Sequence, residues 1–266
     1  MLRHILCGLF TLAALSIHAQ NDVTHQSVSL DGVKHVSIYA SFSSIVLSEG
    51  TRNEIEVEHS VIINDKQEAM LHELSIKKSG SILEVRELSP TFSELEKRFP
   101  KGFSAQDNHY NGSVNSPPKT TIESFLKLKI PAGVTVEVET EYGSIHAKNV
   151  AGLKKAYAEY GAITVILAAK SKVTDLDFHS HYGAVDVTLA KNAGADLQLL
   201  TEYGELYSDF DIKVNADRRK EDDFLQQLVA VANPSVVKLL MAMFIYGKEF
   251  RVCLDFIEAM PVNLAG

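Results

Sequence analysis

Glu141-Tyr142-Gly143-Ser144-Ile145, Glu159-Tyr160-Gly161-Ala162-Ile163, His181-Tyr182-Gly183-Ala184-Val185 and Glu202-Tyr203-Gly204-Glu205-Leu206 are four versions of one motif. Their tyrosines stand 18, 22 and 21 residues apart. A period near 20 marks a chain that stacks one supersecondary unit on the next. Four residues before each tyrosine stand Val138, Ala156, Phe178 and Leu199, and two before it come the small residues Thr140, Ala158, Ser180 and Thr201. Three after it are Ile145, Ile163, Val185 and Leu206. Apolar positions thus alternate on both sides of the glycine and change parity across it, which predicts a strand, a corner and a second strand. Gly143, Gly161, Gly183 and Gly204 suit such a corner because glycine accepts the positive φ of a sharp bend.

At about 3.3 Å per residue, 20 residues make a loop holding two or three short strands, and loops about 4.8 Å apart pair as parallel strands. The expected fold is all-β: a β-solenoid, as a right-handed parallel β-helix. Tyr142, Tyr160, Tyr182 and Tyr203 would then stack as inward-facing aromatic steps, each contact adding about 0.5–1.5 kcal/mol beyond its burial. The residues before them, Glu141, Glu159, His181 and Glu202, would form an outer stripe.

Outward from the repeat the pattern weakens. His35 to Leu47 has the same alternation, with Phe42 in the place of the tyrosine, and Ser79-Gly80-Ser81-Ile82-Leu83-Glu84-Val85 repeats the corner without an aromatic. Residues 20–88 therefore read as irregular early coils. Residues 89–121, with Pro90, Pro100, Pro117 and Pro118, read as a polar surface loop or hinge. Residues 122–214 hold the regular coils. In 215–266, Phe224, Leu225, Leu228, Val229 and Ala232 recur at helical spacing before Asn233-Pro234, which predicts a C-terminal helical cap over the open edge or an atypical tail.

The chain begins Met1-Leu2-Arg3-His4, followed by an apolar run from Ile5 to Ile17 and then His18-Ala19-Gln20. Residues 1–19 read as a signal peptide, too short for an ordinary membrane span, so the expected location is the periplasm, outer envelope or extracellular space, with no transmembrane span after removal. Cys253 is the one cysteine beyond that segment, which leaves no disulfide framework. A net charge of −8 with no basic run argues against nucleic acid as a partner, and the lack of tryptophan excludes a tryptophan-lined sugar platform.

The stretch Ile130-Pro131-Ala132-Gly133-Val134-Thr135-Val136 followed by serial Tyr-Gly coils resembles the adhesin family of bacterial envelope proteins, including head GIN and auto-transporter adhesin-like domains. Ser48-Glu49-Gly50-Thr51-Arg52-Asn53-Glu54-Ile55-Glu56-Val57-Glu58 fits the opening of such domains, and the likeness runs over residues 30–214. It implies an exported β-solenoid and supplies no catalytic residues.

The strongest chemical constellation is Asp175-Leu176-Asp177-Phe178-His179-Ser180-His181. With Leu176 and Phe178 inward, Asp175, Asp177, His179 and His181 would share the outer face, with Glu159 and Glu202 beside His181 on adjacent coils. Such a cluster could ligate Zn²⁺ or Ca²⁺. A solvated polar face, where His181 relieves repulsion between stacked glutamates, accounts for the pattern more simply. No hydrolase or phosphate-loop motif is present, and no arginine stands between Arg98 and Arg218. The sequence therefore predicts a non-enzymatic, cofactor-free, adhesin-like or scaffold protein that binds a protein or glycan. A β-helix polysaccharide hydrolase or lyase using Asp175 and Asp177, or a periplasmic sensor or assembly factor, is the alternative.

Overall fold

The computed structural model describes residues 23–64, 66–67, 73–105, 120–167, 175–189, 195–202, 204–208, 213–214, 221–222, 225–232, 237–243 and 249–256. From residue 195 onward the description is of the backbone, with the side chains of Leu199 and Tyr207. Residues 1–19 and Tyr203 lie outside the described residues.

In chain order the strands are β1 (Thr24–Ser29), β2 (His35–Ala40), β3 (Ser44–Gly50), β4 (Glu54–Ile63), β5 (Lys66–Gln67), β6 (Glu73–Ser79) and β7 (Ile82–Leu88). Helix α1 (Phe92–Arg98) follows, then β8 (Phe103–Ala105), β9 (Thr120–Pro131), β10 (Thr135–Thr140), β11 (Ile145–Lys148) and β12 (Leu153–Ala158). Next come β13 (Ile163–Ile166), β14 (Leu176–Ser180), β15 (Val185–Leu189), β16 (Ala195–Glu202) and β17 (Gly204–Ser208). The tail carries β18 (Lys213–Val214), β19 (Glu221–Asp222), β20 (Leu225–Ala232), β21 (Val237–Met243) and β22 (Glu249–Phe256).

These strands form two mixed sheets, and their inner faces share one apolar core. The first runs β1-β4-β9-β3-β11-β13-β15-β21-β17, and the second β18-β20-β16-β22-β14-β12-β10-β2-β7-β6. The centre of each is parallel: β9, β3, β11, β13 and β15 in one, β7, β2, β10, β12 and β14 in the other. The chain crosses between sheets at the corners of Tyr142, Tyr160 and Tyr182, from β10 to β11, β12 to β13 and β14 to β15. Both flanks are antiparallel, through β1, β4 and β6 on one side and β21 and β22 on the other.

The fold is therefore all-β but is not the expected closed β-solenoid or parallel β-helix. The repeat period counts residues per crossing and is silent on chain direction outside the repeat. Gly80, at φ +59, reverses the chain between β6 and β7, so Ser79-Gly80-Ser81 is a hairpin turn rather than another corner. Long β4 and β9 pair antiparallel along eight positions. The helical cap is corrected too: Leu225–Ala232 is a strand that pairs antiparallel with β16. Its apolar residues suit a strand as well as a helix, and short apolar runs do not separate the two by periodicity.

Period-2 burial builds the core. Val36, Ile38, Val136, Val138, Leu176, Phe178, Val185 and Val187 point inward from strands that alternate buried and accessible residues. Each such side chain contributes about 1.5–3 kcal/mol on burial. A smaller second core gathers Phe42, Val61, Ile63, Leu95, Phe103 and Ile122. It lies under α1, inside the segment read as a loop. Thr91 and Glu94 cap that helix reciprocally: the Thr91 amide donates to Glu94 Oε2 at 2.8 Å, and the Glu94 amide donates to Thr91 Oγ1 at 3.4 Å. The Thr91 amide and hydroxyl hold the Glu94 carboxyl below its ordinary range.

Candidate functional site: a tyrosine and carboxylate face

The corners stack because glycine leaves room, not because it bends the backbone to positive φ. Among the described residues the positive-φ glycines are Gly32, Gly80, Gly102 and Gly133, and Gly143, Gly161 and Gly183 are not among them. A Cβ on Gly161 would instead fall on the carbonyl oxygen of Gly143, and one on Gly183 on that of Gly161. Each corner thus rests its backbone directly on the one before. Where the small residue two before the tyrosine is Ser180, its hydroxyl locks the corner: the Gly183 amide donates to Ser180 Oγ at 2.8 Å, and that hydroxyl donates to the Gly161 carbonyl at 2.9 Å.

This close stacking sets the tyrosines in register, and on the outside. Tyr142 and Tyr160 lie 5.1 Å apart between centroids at 5°, and Tyr160 and Tyr182 lie 5.1 Å apart at 6°. Tyr160 and Tyr182 are 41% and 39% exposed. The inward-facing steps expected from the pattern are therefore an outer column, since the parity change at the corner leaves the tyrosine between two inward residues. Phe92 meets Tyr142 edge-on at 4.6 Å, so the small aromatic core anchors one end of the column. Burial first, then the charge and hydrogen bond of Glu141, push the Tyr142 phenol up to about 12.

Glu141, Glu159 and His181 lie beside this column on successive corners. His181 Nδ1 is 3.0 Å from Glu159 Oε1, and the Tyr157 hydroxyl donates to Glu159 Oε2. Glu202 does not join them. β22 runs between β14 and β16, and Glu202 pairs instead with Glu249 and Leu225. Asp175 departs as well: at φ +57 it is the turn residue before β14, so strand alternation begins after it. Asp177 and His179 remain on the outer face of β14, half-buried. Among the described residues no three His, Cys, Asp or Glu side chains come together to hold a metal ion.

A further row was missed in the sequence. In register across the second sheet stand Arg86, Tyr39, Glu139, Tyr157 and His179, on β7, β2, β10, β12 and β14. The Arg86 guanidinium lies over the Tyr39 ring at 4.6 Å, and His179 meets Tyr157 edge-on at 5.2 Å. Aligning the repeats on the corner aromatic would have found it, since all but Arg86 stand three residues before that aromatic. Tyr39, Glu139 and Tyr157 of this row, with Thr140, Glu141, Glu159 and Tyr160, line a shallow depression of about 320 Å³. On the other sheet, Lys127 and Lys129 pair with Glu58 and Glu56 at 2.8 and 2.9 Å, and Arg52 binds Glu54 and Glu56. The lysine hydrogen bonds lower both glutamates, Glu56 through Lys129 and Glu58 through Lys127. That surface is a mutually neutralised ladder.

No family model matches this chain, and no curated protein does. Among solved structures, a "putative cell adhesion protein" from Clostridium sporogenes is similar at 10% identity and a TM-score of 0.38. The aligned part covers 57% of this chain and 64% of that one, so this chain spans less than two thirds of that protein. No helix among the described residues is long and apolar enough to cross a membrane.

Proposed function

We propose that the protein is a non-enzymatic, exported binding module of adhesin-like or scaffold type, and that it docks a protein or glycan through the Tyr160–Tyr182 column and the carboxylates beside it. One observation carries this reading: large, parallel, solvent-exposed rings held by backbone stacking, on a face that also presents Glu141, Glu159 and Glu139. Exposed tyrosines whose geometry is set before a ligand arrives lose little entropy on binding, which is how rigid aromatic surfaces gain affinity. Rows of hydrogen-bonding groups beside the rings suit a partner that repeats, such as a glycan or an extended chain.

The test is a glycan array and a pull-down with the chain, repeated with Tyr160→Ser and Tyr182→Ser together. Loss of at least about tenfold in affinity, with thermal stability retained, is the expected result. Ligand binding unchanged by the double substitution, or release of reducing ends from a polysaccharide, would overturn it.

A further inference from the structure

The row Tyr39, Glu139, Tyr157 has the form of a slot with two walls and a floor. Tyr39 on β2 and Tyr157 on β12 are separated by one strand, β10, which carries Glu139 between them. With strands about 4.8 Å apart, the two tyrosines stand about 9.6 Å apart at their bases. A planar group sandwiched between two rings needs about 7–8 Å, one van der Waals contact on each face. The gap therefore admits one flat group and little more.

Its chemistry is set by what is already satisfied nearby. Glu137, two residues before Glu139, has His35 at 3.9 Å and Lys155 at 3.7 Å, and Glu159 has Tyr157 and His181. Among the described residues the Glu139 carboxylate has no hydrogen bond or ion pair, and it is exposed at the floor of the slot. Tyr39 already accepts a guanidinium from within the molecule, that of Arg86 at the outer end of the row. Arginine is the cation suited to such a place, because its guanidinium is planar, stacks on aromatic faces and donates to a carboxylate in its own plane. A chain of net charge −8 favours a basic visitor at long range.

We infer that the slot between Tyr39 and Tyr157, floored by Glu139, takes the guanidinium of an arginine from a basic segment of a partner protein. The inference rests on the reading of this face as a docking surface and names what part of that surface recognises. Arg86 marks the edge of the row and repeats in the fold the contact that the visiting arginine makes inside the slot.

The experiment titrates the full chain with an acetylated, amidated peptide of alternating glycine and arginine, with a matched peptide of citrulline, and with chitosan oligosaccharides. The arginine peptide is expected to bind at least about tenfold more tightly than the citrulline one, which keeps the shape and removes the charge. Glu139→Gln, a change at an exposed position, is expected to erase most of that difference, and Tyr157→Leu to weaken the arginine peptide about fivefold or more. Equal affinity for the arginine and citrulline peptides, or indifference to Glu139→Gln, overturns the proposal. Tighter binding of the amino-sugar oligomer than of the arginine peptide also overturns it, by assigning the slot to a glycan. Arginine-peptide binding that survives Tyr160→Ser with Tyr182→Ser but not Glu139→Gln places the cation in the slot independently of the column. A protein or glycan ligand lost with the column variant but untouched by Glu139→Gln and Tyr157→Leu sinks the slot alone.

Discussion

Gly161 holds its place in the stack by having no side chain. Its missing Cβ is the space that the Gly143 carbonyl occupies, so Gly161→Ala forces two stacked backbones apart. Overpacking of this kind costs about 1–3 kcal/mol. Gly133 is the matching control: its φ of +103 is strained for alanine, yet a Cβ there meets nothing within 4 Å. We expect Gly161→Ala to lower the thermal midpoint more than Gly133→Ala; the reverse order would show that the stacked corners yield to a Cβ and that space is not what selects glycine there. Tyr142 gives a second prediction at this scale. Burial, with Glu141 second, raises its phenol from 10.0 to about 12 in the folded chain. Folding therefore favours the protonated phenol. That contribution is full below pH 10 and is lost as pH climbs toward 12. Alkaline titration should show Tyr142 among the tyrosines that ionise late, and Tyr142→Phe should flatten the dependence of stability on pH across that window.

The corner between β2 and β3 lacks a tyrosine and is held by a buried carboxylate. Glu87, at the end of β7, is fully buried, and its Oε2 accepts from the amides of Phe42 and Ser43 at 3.2 and 3.3 Å. It ties one strand to the turn that joins two others. Glu87→Ala leaves two buried amides without that acceptor and should cost about 3 kcal/mol in chemical denaturation. Glu87→Gln, which keeps an acceptor oxygen, should cost clearly less; equal losses would place the effect in packing. Elements differ in how openly the sequence shows them. The alternation before and after each Tyr-Gly pair marks β10 to β15, because every buried position there is apolar or small. Helix α1 hides among prolines, although Thr91-Phe92-Ser93-Glu94 is a capping box readable in the sequence. The pairing of β4 with β9 joins residues 59 to 73 apart, and no local pattern encodes it.

For the molecule as a whole, a parallel stack has two open edges, and here antiparallel strands cover both of them. β22 lies on β14 and β21 on β15, where a continuing repeat would have laid further parallel coils. Direction is what the repeat could not convey, because a strand reads the same in composition whichever way it runs. The candidate site is legible by a different route, the alignment of the repeats on the corner aromatic: the slot walls, Tyr39 and Tyr157, are 118 residues apart in the chain and neighbours but one in the sheet, each three residues before its corner. The column of rings has one more consequence, an optical one. The chain has no tryptophan, so its aromatic absorption is dominated by nine tyrosines, and three of them lie nearly parallel at 5.1 Å. Transition dipoles so placed couple, and the coupling exists only while the corners are stacked. Near-ultraviolet circular dichroism should therefore report the integrity of the corners in particular. Tyr160→Phe, at the middle of the column, should diminish that band by more than one tyrosine's even share, whereas Tyr207→Phe should not.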